Sequence, residues 1–438
     1  MRAALNLVEA LVAAGDGELS TMPREAVEIG KQCVLDWFGV TLAARDEELA
    51  RILRAEAEAT GGKAEATVVG AELRTSAAFA ALVNGATSHA LDYDDTNLVM
   101  MGHATAPVWP AVLAEAEARG SSGAEALAAF IAGVETECRL GLVLSPGHYA
   151  AGWHPTGTLA SFGAAAACAA LVGLDQEGRA AALGIAATQA AGLKSAFGTM
   201  SKPLHAGKAA FNGLLAARLA ARGFTARDEM VDGEQGFVET HAPQAHLERL
   251  EDLEGRHLIT ETLFKYHAAC YLTHSTIECA RGFGVAVDEI RAVGISVHPA
   301  ALKVCNIAAP ATGLEGKFSL RATAAMALLG DDTADIHAFT DQRMRDANLV
   351  RLRDLVEVAG DSSLREAEAR VVVIADKRRT REFDAGVPNR DLEDQWRRLE
   401  AKFHALAGPV VGERRAADLA GAIRRLDELE TVAELVRP

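Results

Sequence analysis

Alanine is the commonest apolar residue of this chain, gathered in runs such as SFGAAAACAALVGL (161–174) and TSAAFAALVNGATSHA (75–90). Half of the 438 residues are hydrophobic, yet only 5% are aromatic. A core of that make-up is filled by helices packed closely through small side chains, not by the branched and aromatic faces of a β-sandwich. At about 150 residues per domain, the length predicts two or three domains.

The charge balance narrows the partners. With 44 basic and 60 acidic residues the net charge is −16, which argues against a nucleic-acid partner. Against such a field a local cluster of lysine and histidine stands out. The six cysteines form no CxxC pair, so neither a zinc site nor a redox motif is expected, and their apolar contexts predict buried thiols. No basic segment leads into an apolar run at the N-terminus, and no stretch has the composition of a membrane span. The expectation is a cytoplasmic protein with no membrane partner.

Hydrophobic periodicity predicts helices over 3–14, 22–44, 75–91, 107–119, 123–141, 155–170, 176–195 and from Ser201 to about 220. Pro23, Pro155 and Pro203 suit first helical turns. From about residue 265 the pattern changes. EIRAVGISVHP (289–299) alternates, placing Val293, Ile295 and Val297 on one face, and 369–385 reads as strand, basic turn and strand. Helices over 273–284 and 317–329 intervene, and 390–406 and 412–435 return to helix. The expected architecture is mainly α: an all-helical domain over 1–265, completed by about 400–438, and a smaller α+β domain over 266–399.

Chemistry concentrates in NGATSHALDYDDTNLVMMGHATAPVWP (84–110), which holds His89, Asp92, Asp94, Asp95, Thr96 and His103. On a helix continuing to residue 91, His89 and Asp92 share a face. An acid beside an imidazole, followed by a loop with a second imidazole, suits proton transfer. A metal reading of His89, Asp92 and Asp95, as in a metal-dependent all-helical hydrolase or synthase, is the rival; DDxxD is absent, and no second Asp-rich motif follows. A binding protein without catalysis is the other. Residues 145–160 place His148, Tyr149 and His154 around a helix start. In GTMSKPLHAGKAAF, Ser201 is the expected N-cap, so Lys202 sits where free N–H groups and the dipole favour anions, with His205 and Lys208 one turn on. His267 and His274 lie seven apart, and Lys317 precedes an apolar helix. Neither GxGxxG after a strand, nor a Walker loop, nor GxSxG is present, so no nucleotide cofactor or serine nucleophile is indicated.

Five blocks in order resemble the MmgE/PrpD family: NGATSHALDYDDT with GHATAPVWPA, GWHPTGTLASFGAAAA, MSKPLHAGKAAFNG, YHAACYLTHSTIECA and GKFSLRATAAMALL. Its members include 2-methylcitrate dehydratase, cis-aconitate decarboxylase and iminodisuccinate epimerase. The resemblance implies a homodimer whose smaller α+β domain is a lid, and a lyase needing no organic cofactor that acts on a small di- or tricarboxylate. An epimerase of an iminodisuccinate-like dicarboxylate is the alternative. By motif, the implied pocket residues are Asp92, Thr96, His103, His154, Lys202 and His274, with Tyr149 matching a position important in epimerase-like members; read from the residues themselves, His89, His205 and Lys317 are expected toward substrate, and no metal is expected. Decarboxylase-like members carry a tyrosine a few residues after the Lys-aromatic-Ser motif, where this chain has Arg321 and Ala322. In the implied mechanism Lys202, His154 and Lys317 neutralise carboxylates, His103 or Tyr149 is the base, His274 the proton donor, and Asp92 orients a histidine.

Overall fold

A computed structural model describes residues 6–437 apart from 16, 228, 252 and 254. It is mainly α and divides into two compact units, Met1–Phe264 with Arg390–Pro438, and Lys265–Asn389.

The larger unit is helical save for two short two-stranded ladders, Ala66–Val68 with Leu73–Thr75 and Thr96–Asn97 with Thr262–Leu263. Local chemistry starts and stops its helices. The Ser76 hydroxyl accepts from the Phe79 N–H to open Ala77–Ser88, and Ser122 with Glu125 forms a capping box ahead of Gly123–Leu144. Pro155 occupies the first turn of Pro155–Val172, which ends on Gly173 at φ 79°. That helix is the one among the described residues long and apolar enough to cross a membrane, and 83% of it is buried inside the protein. Its small residues let neighbours approach closely. A Cβ on Gly133 would meet the Gly163 carbonyl oxygen at 2.6 Å, and one on Gly213 would fall inside contact distance of Ala164.

The same device brings Ala77–Ser88 against Ser201–Ala220. A Cβ on Gly85 would lie 2.9 Å from the Gly207 Cα, and one on Gly207 would collide with the Leu82 carbonyl oxygen. The end of the first helix, with His89, therefore sits beside the start of the second, with Lys202. The C-terminal return, Leu392–Val411, packs on Arg24–Ala43, where Lys402 forms a fully buried ion pair with Asp36 at 2.6 Å. Lys402 also donates to the Tyr93 carbonyl at 2.8 Å, so it tethers the loop after His89.

The smaller unit carries a four-stranded sheet. Ala292–Val297 lies between Val356–Gly360, to which it is parallel, and Glu368–Ile374, which pairs antiparallel with Arg378–Asp384. Val293, Ile295 and Val297 are buried, as their alternation predicts. The strand at 356–360, the hairpin at 66–75 and the helix Glu48–Thr60 carry weaker patterns and are findings of the structure. Helix ends also move. The helix expected to reach residue 91 stops at Ser88, and the one expected over 176–195 stops at Ala187.

Candidate active site

The first correction is local. His89 is the C-cap of Ala77–Ser88, and Asp92 lies beyond it at φ 51°, so the two do not share a helical face. Asp tolerates this left-handed region better than most residues, and it turns the chain sharply. The loop then runs through Thr96, whose hydroxyl donates to the Gly102 carbonyl at 3.0 Å. Thr96 thus closes the loop carrying His103, where a substrate contact was expected.

Folded this way, the loop gathers its imidazoles around Asp94. The Oδ2 atom of Asp94 lies 2.9 Å from His89 Nδ1 and 3.0 Å from His103 Nδ1. His103 Nδ1 is also 2.7 Å from the Asp95 carbonyl, and the His103 N–H donates to Thr156 Oγ1 at 3.0 Å. With two acceptors at Nδ1, the ring proton belongs there and Nε2 presents a lone pair. The His89 and His103 rings are 4.3 Å apart. His89 is only 1% exposed, which sets it behind the site, away from any substrate.

Burial opposes ionisation of Asp94, but the facing His103 and His89 outweigh it and hold its carboxyl well below the usual range. Burial pushes His89 down to about 4, so it is a neutral donor at pH 7. Asp95, buried and close to the charge of Asp36, is pushed up to about 7, and it accepts from the Thr105 hydroxyl. Deeper still, Glu137 is driven far above the ordinary carboxylate range, first by burial and then by Asp95.

Toward solvent, Asp92 and Lys202 pair at 2.9 Å, and Asp92 Oδ1 is 3.6 Å from His103 Nε2. Asp92 therefore reaches the open side of His103, while the carboxylate behind the ring is Asp94. Lys202 does not stand over a vacant helix cradle either. Met200 is the N-cap, the Ser201 N–H donates to Thr199 Oγ1 and the Lys202 N–H to the Thr199 carbonyl. The positive charge offered here is the ammonium itself.

His154 caps Pro155–Val172, and its Nδ1 is 3.0 Å from His205 Nδ1. Burial, and then His89, His103 and Lys202, push His154 far below its ordinary range. It is a neutral hydrogen-bonding group, which corrects its expected part as a cation. The Phe197 ring packs edge-on to His154 at 5.0 Å and lies 5.4 Å from Lys202 Nζ. Tyr149 belongs to an adjoining patch, with Lys194 Nζ 3.4 Å from its ring centre. His148 bonds the His241 carbonyl and Thr158, a structural placement. Lys208 is exposed over Phe211.

In the smaller unit, His274 opens His274–Arg281, with its ring 4.9 Å from that of His267. Lys317 is the C-cap of Gly313–Gly316, and Ser319 caps the apolar helix that follows. Arg321 donates to Asn306 Oδ1 at 2.6 Å.

Among the described residues, His89, Asp92, Asp94 and His103 each bring a donor atom within 4.8 Å of the others. Those atoms are held by one another and by Lys202, partners that a cation would have to displace.

The MmgE/PrpD N-terminal domain matches residues 14–250 and the MmgE/PrpD C-terminal domain matches residues 267–428. The chain belongs to the MmgE/PrpD family. Among its MmgE/PrpD relatives, the cis-aconitate decarboxylase of Homo sapiens is 31% identical over 48% of this chain and 45% of its own length. That of Mus musculus is 30% identical over 47% and 43%. That of Aspergillus terreus is 25% identical over 95% and 92%. The chain thus spans less than half the length of the two mammalian relatives and nearly all of the fungal one.

Sequence reasoning missed Asp94, Phe197, Thr156 and Lys402. Asp94 stood inside the quoted DYDD run, but only the backbone turn at Asp92 shows which of three aspartates faces the imidazoles.

Proposed function

We propose that this MmgE/PrpD protein is a lyase that removes a proton next to a carboxylate of a small di- or tricarboxylate, in the manner of a dehydratase and without an organic cofactor. One observation carries the reading: His103 has its Nδ1 proton fixed from behind, while its Nε2 lies 3.6 Å from the Asp92 oxygen that Lys202, only 18% exposed, holds at 2.9 Å. A carbon acid of this kind yields a carbanion that needs positive charge close by. Lys202 supplies it by exchanging Asp92 for a substrate carboxylate, and His103 Nε2 takes the proton. Neutral His154 donates a hydrogen bond. Departure of a leaving group then makes an alkene. The likeness to cis-aconitate decarboxylases supports a lyase; Arg321 and Ala322 at the decarboxylase tyrosine position favour loss of water over loss of CO₂. The resemblance assigns proton donation to His274 and dimerisation to the whole chain.

Incubation with a panel of di- and tricarboxylates in D₂O, followed by NMR, tests the reading. A new alkene supports it. Deuterium at the α-carbon without elimination identifies an epimerase instead. Turnover abolished by chelation and restored by a divalent metal overturns it.

A further inference from the structure

We infer that Asp94 is the positioning carboxylate of the base, and that His89 moderates that base by drawing on the same buried charge. The inference rests on the proton-abstraction reading above and concerns two residues that the family resemblance leaves without this role.

The geometry is that of one anion divided between two imidazoles. Asp94 is 1% exposed. His89 Nδ1 sits across both of its oxygens, at 2.9 and 3.0 Å, and His103 Nδ1 is 3.0 Å from Oδ2. A carboxylate behind an imidazole raises its basicity and fixes its tautomer. A second donor on the same carboxylate withdraws part of that charge, and so lowers the basicity lent to the first. His103 keeps a second Nδ1 acceptor in the Asp95 carbonyl, so loss of Asp94 would change its basicity more than its orientation. The other titratable groups around the pair are Asp92 and Lys202 on the open side of His103, His154, whose ring stacks on that of His89 at 6.1 Å and which meets His205 at 3.0 Å, and the Asp95 carboxyl next to Asp94. None of these touches both ends of the dyad. His89 has no described partner for Nε2, which is sealed from solvent, so its Nδ1 bond to Asp94 is what it offers.

Two substitutions separate this role from a merely structural one. Asp94→Asn keeps the size but removes the charge; kcat is expected to fall on the order of 10²–10⁴-fold with KM little changed. His89→Phe leaves Asp94 wholly to His103; the acidic limb of the kcat/KM profile is expected to move up by about one pH unit. The same shifts are read without turnover, by ¹⁵N-histidine NMR of the intact protein. His103 is expected as the Nδ1–H tautomer, with a midpoint lowered by Asp94→Asn and raised by His89→Phe. Unmoved midpoints, or an Nε2–H tautomer in the wild type, overturn the inference even where the enzyme is active. The shifts without turnover of any carboxylate would leave the charge sharing standing and overturn the proposed reaction.

Discussion

Two lysine–aspartate pairs of the larger unit use the same chemistry to opposite ends. Lys402 and Asp36 meet at 2.6 Å with side chains 3% and 1% exposed. Lys202 and Asp92 meet at 2.9 Å with side chains 18% and 41% exposed. The first is closed off from solution and welds Leu392–Val411 to Arg24–Ala43 and to the Tyr93 carbonyl. The second can trade its carboxylate for one from solution. On the proposed reading, burial decides which pair is scaffold and which is machinery; distance alone does not.

The contrast can be broken at its strongest point first. Lys402→Met leaves Asp36 buried without its counter-charge and is expected to cost roughly 3–5 kcal/mol in urea unfolding. A loss below 1 kcal/mol would erase the distinction. Close behind comes Asp95→Asn, which probes the burial and the Asp36 charge that together raise its carboxyl. The Asp95 carboxyl is raised to about 7 when folded, so its contribution to stability is present below its unfolded value near 4 and is lost as the pH rises through 7. The variant, neutral throughout, is expected to match the wild type at pH 4 and to gain on it by up to about 4 kcal/mol by pH 8. A constant difference across that window would contradict it.

Lys202→Met is expected to lower kcat/KM by about 10²–10³-fold, with a change in unfolding free energy under about 1 kcal/mol. If stability falls as far as in Lys402→Met, the exposed pair is scaffold as well. The smallest effect is that of salt. Raising ionic strength from about 0.05 to 0.5 M is expected to raise KM severalfold through the open pair, and to leave stability held by the closed pair nearly unchanged.

What could be read in advance follows the reach of the interactions. The alternation of Val293, Ile295 and Val297 is a property of neighbours, and it marks the strand within a few residues of its observed limits. His103 and Lys202 are singled out by their local motifs, and the structure brings both to Asp92. The bond between Lys402 and Asp36 spans 366 positions of chain, and no local pattern reports it. The false helical face of His89 and Asp92 has the opposite origin. Spacing of three is a helical signal only while the helix lasts, and the chain leaves it at Ser88. Once Asp92 turns with φ 51°, the inward place falls to Asp94, two residues on.

The crossing at Gly85 and Gly207 has a practical corollary. Nothing but two α-hydrogens separates the backbones there, and an added methyl at 207 would press on the Leu82 carbonyl oxygen. Because one rod ends at His89 and the other begins near Lys202, a wedge at their crossing is levered into a wider gap between acid, imidazole and ammonium. The gauge of the candidate site is therefore set several residues away, by side chains that were left out.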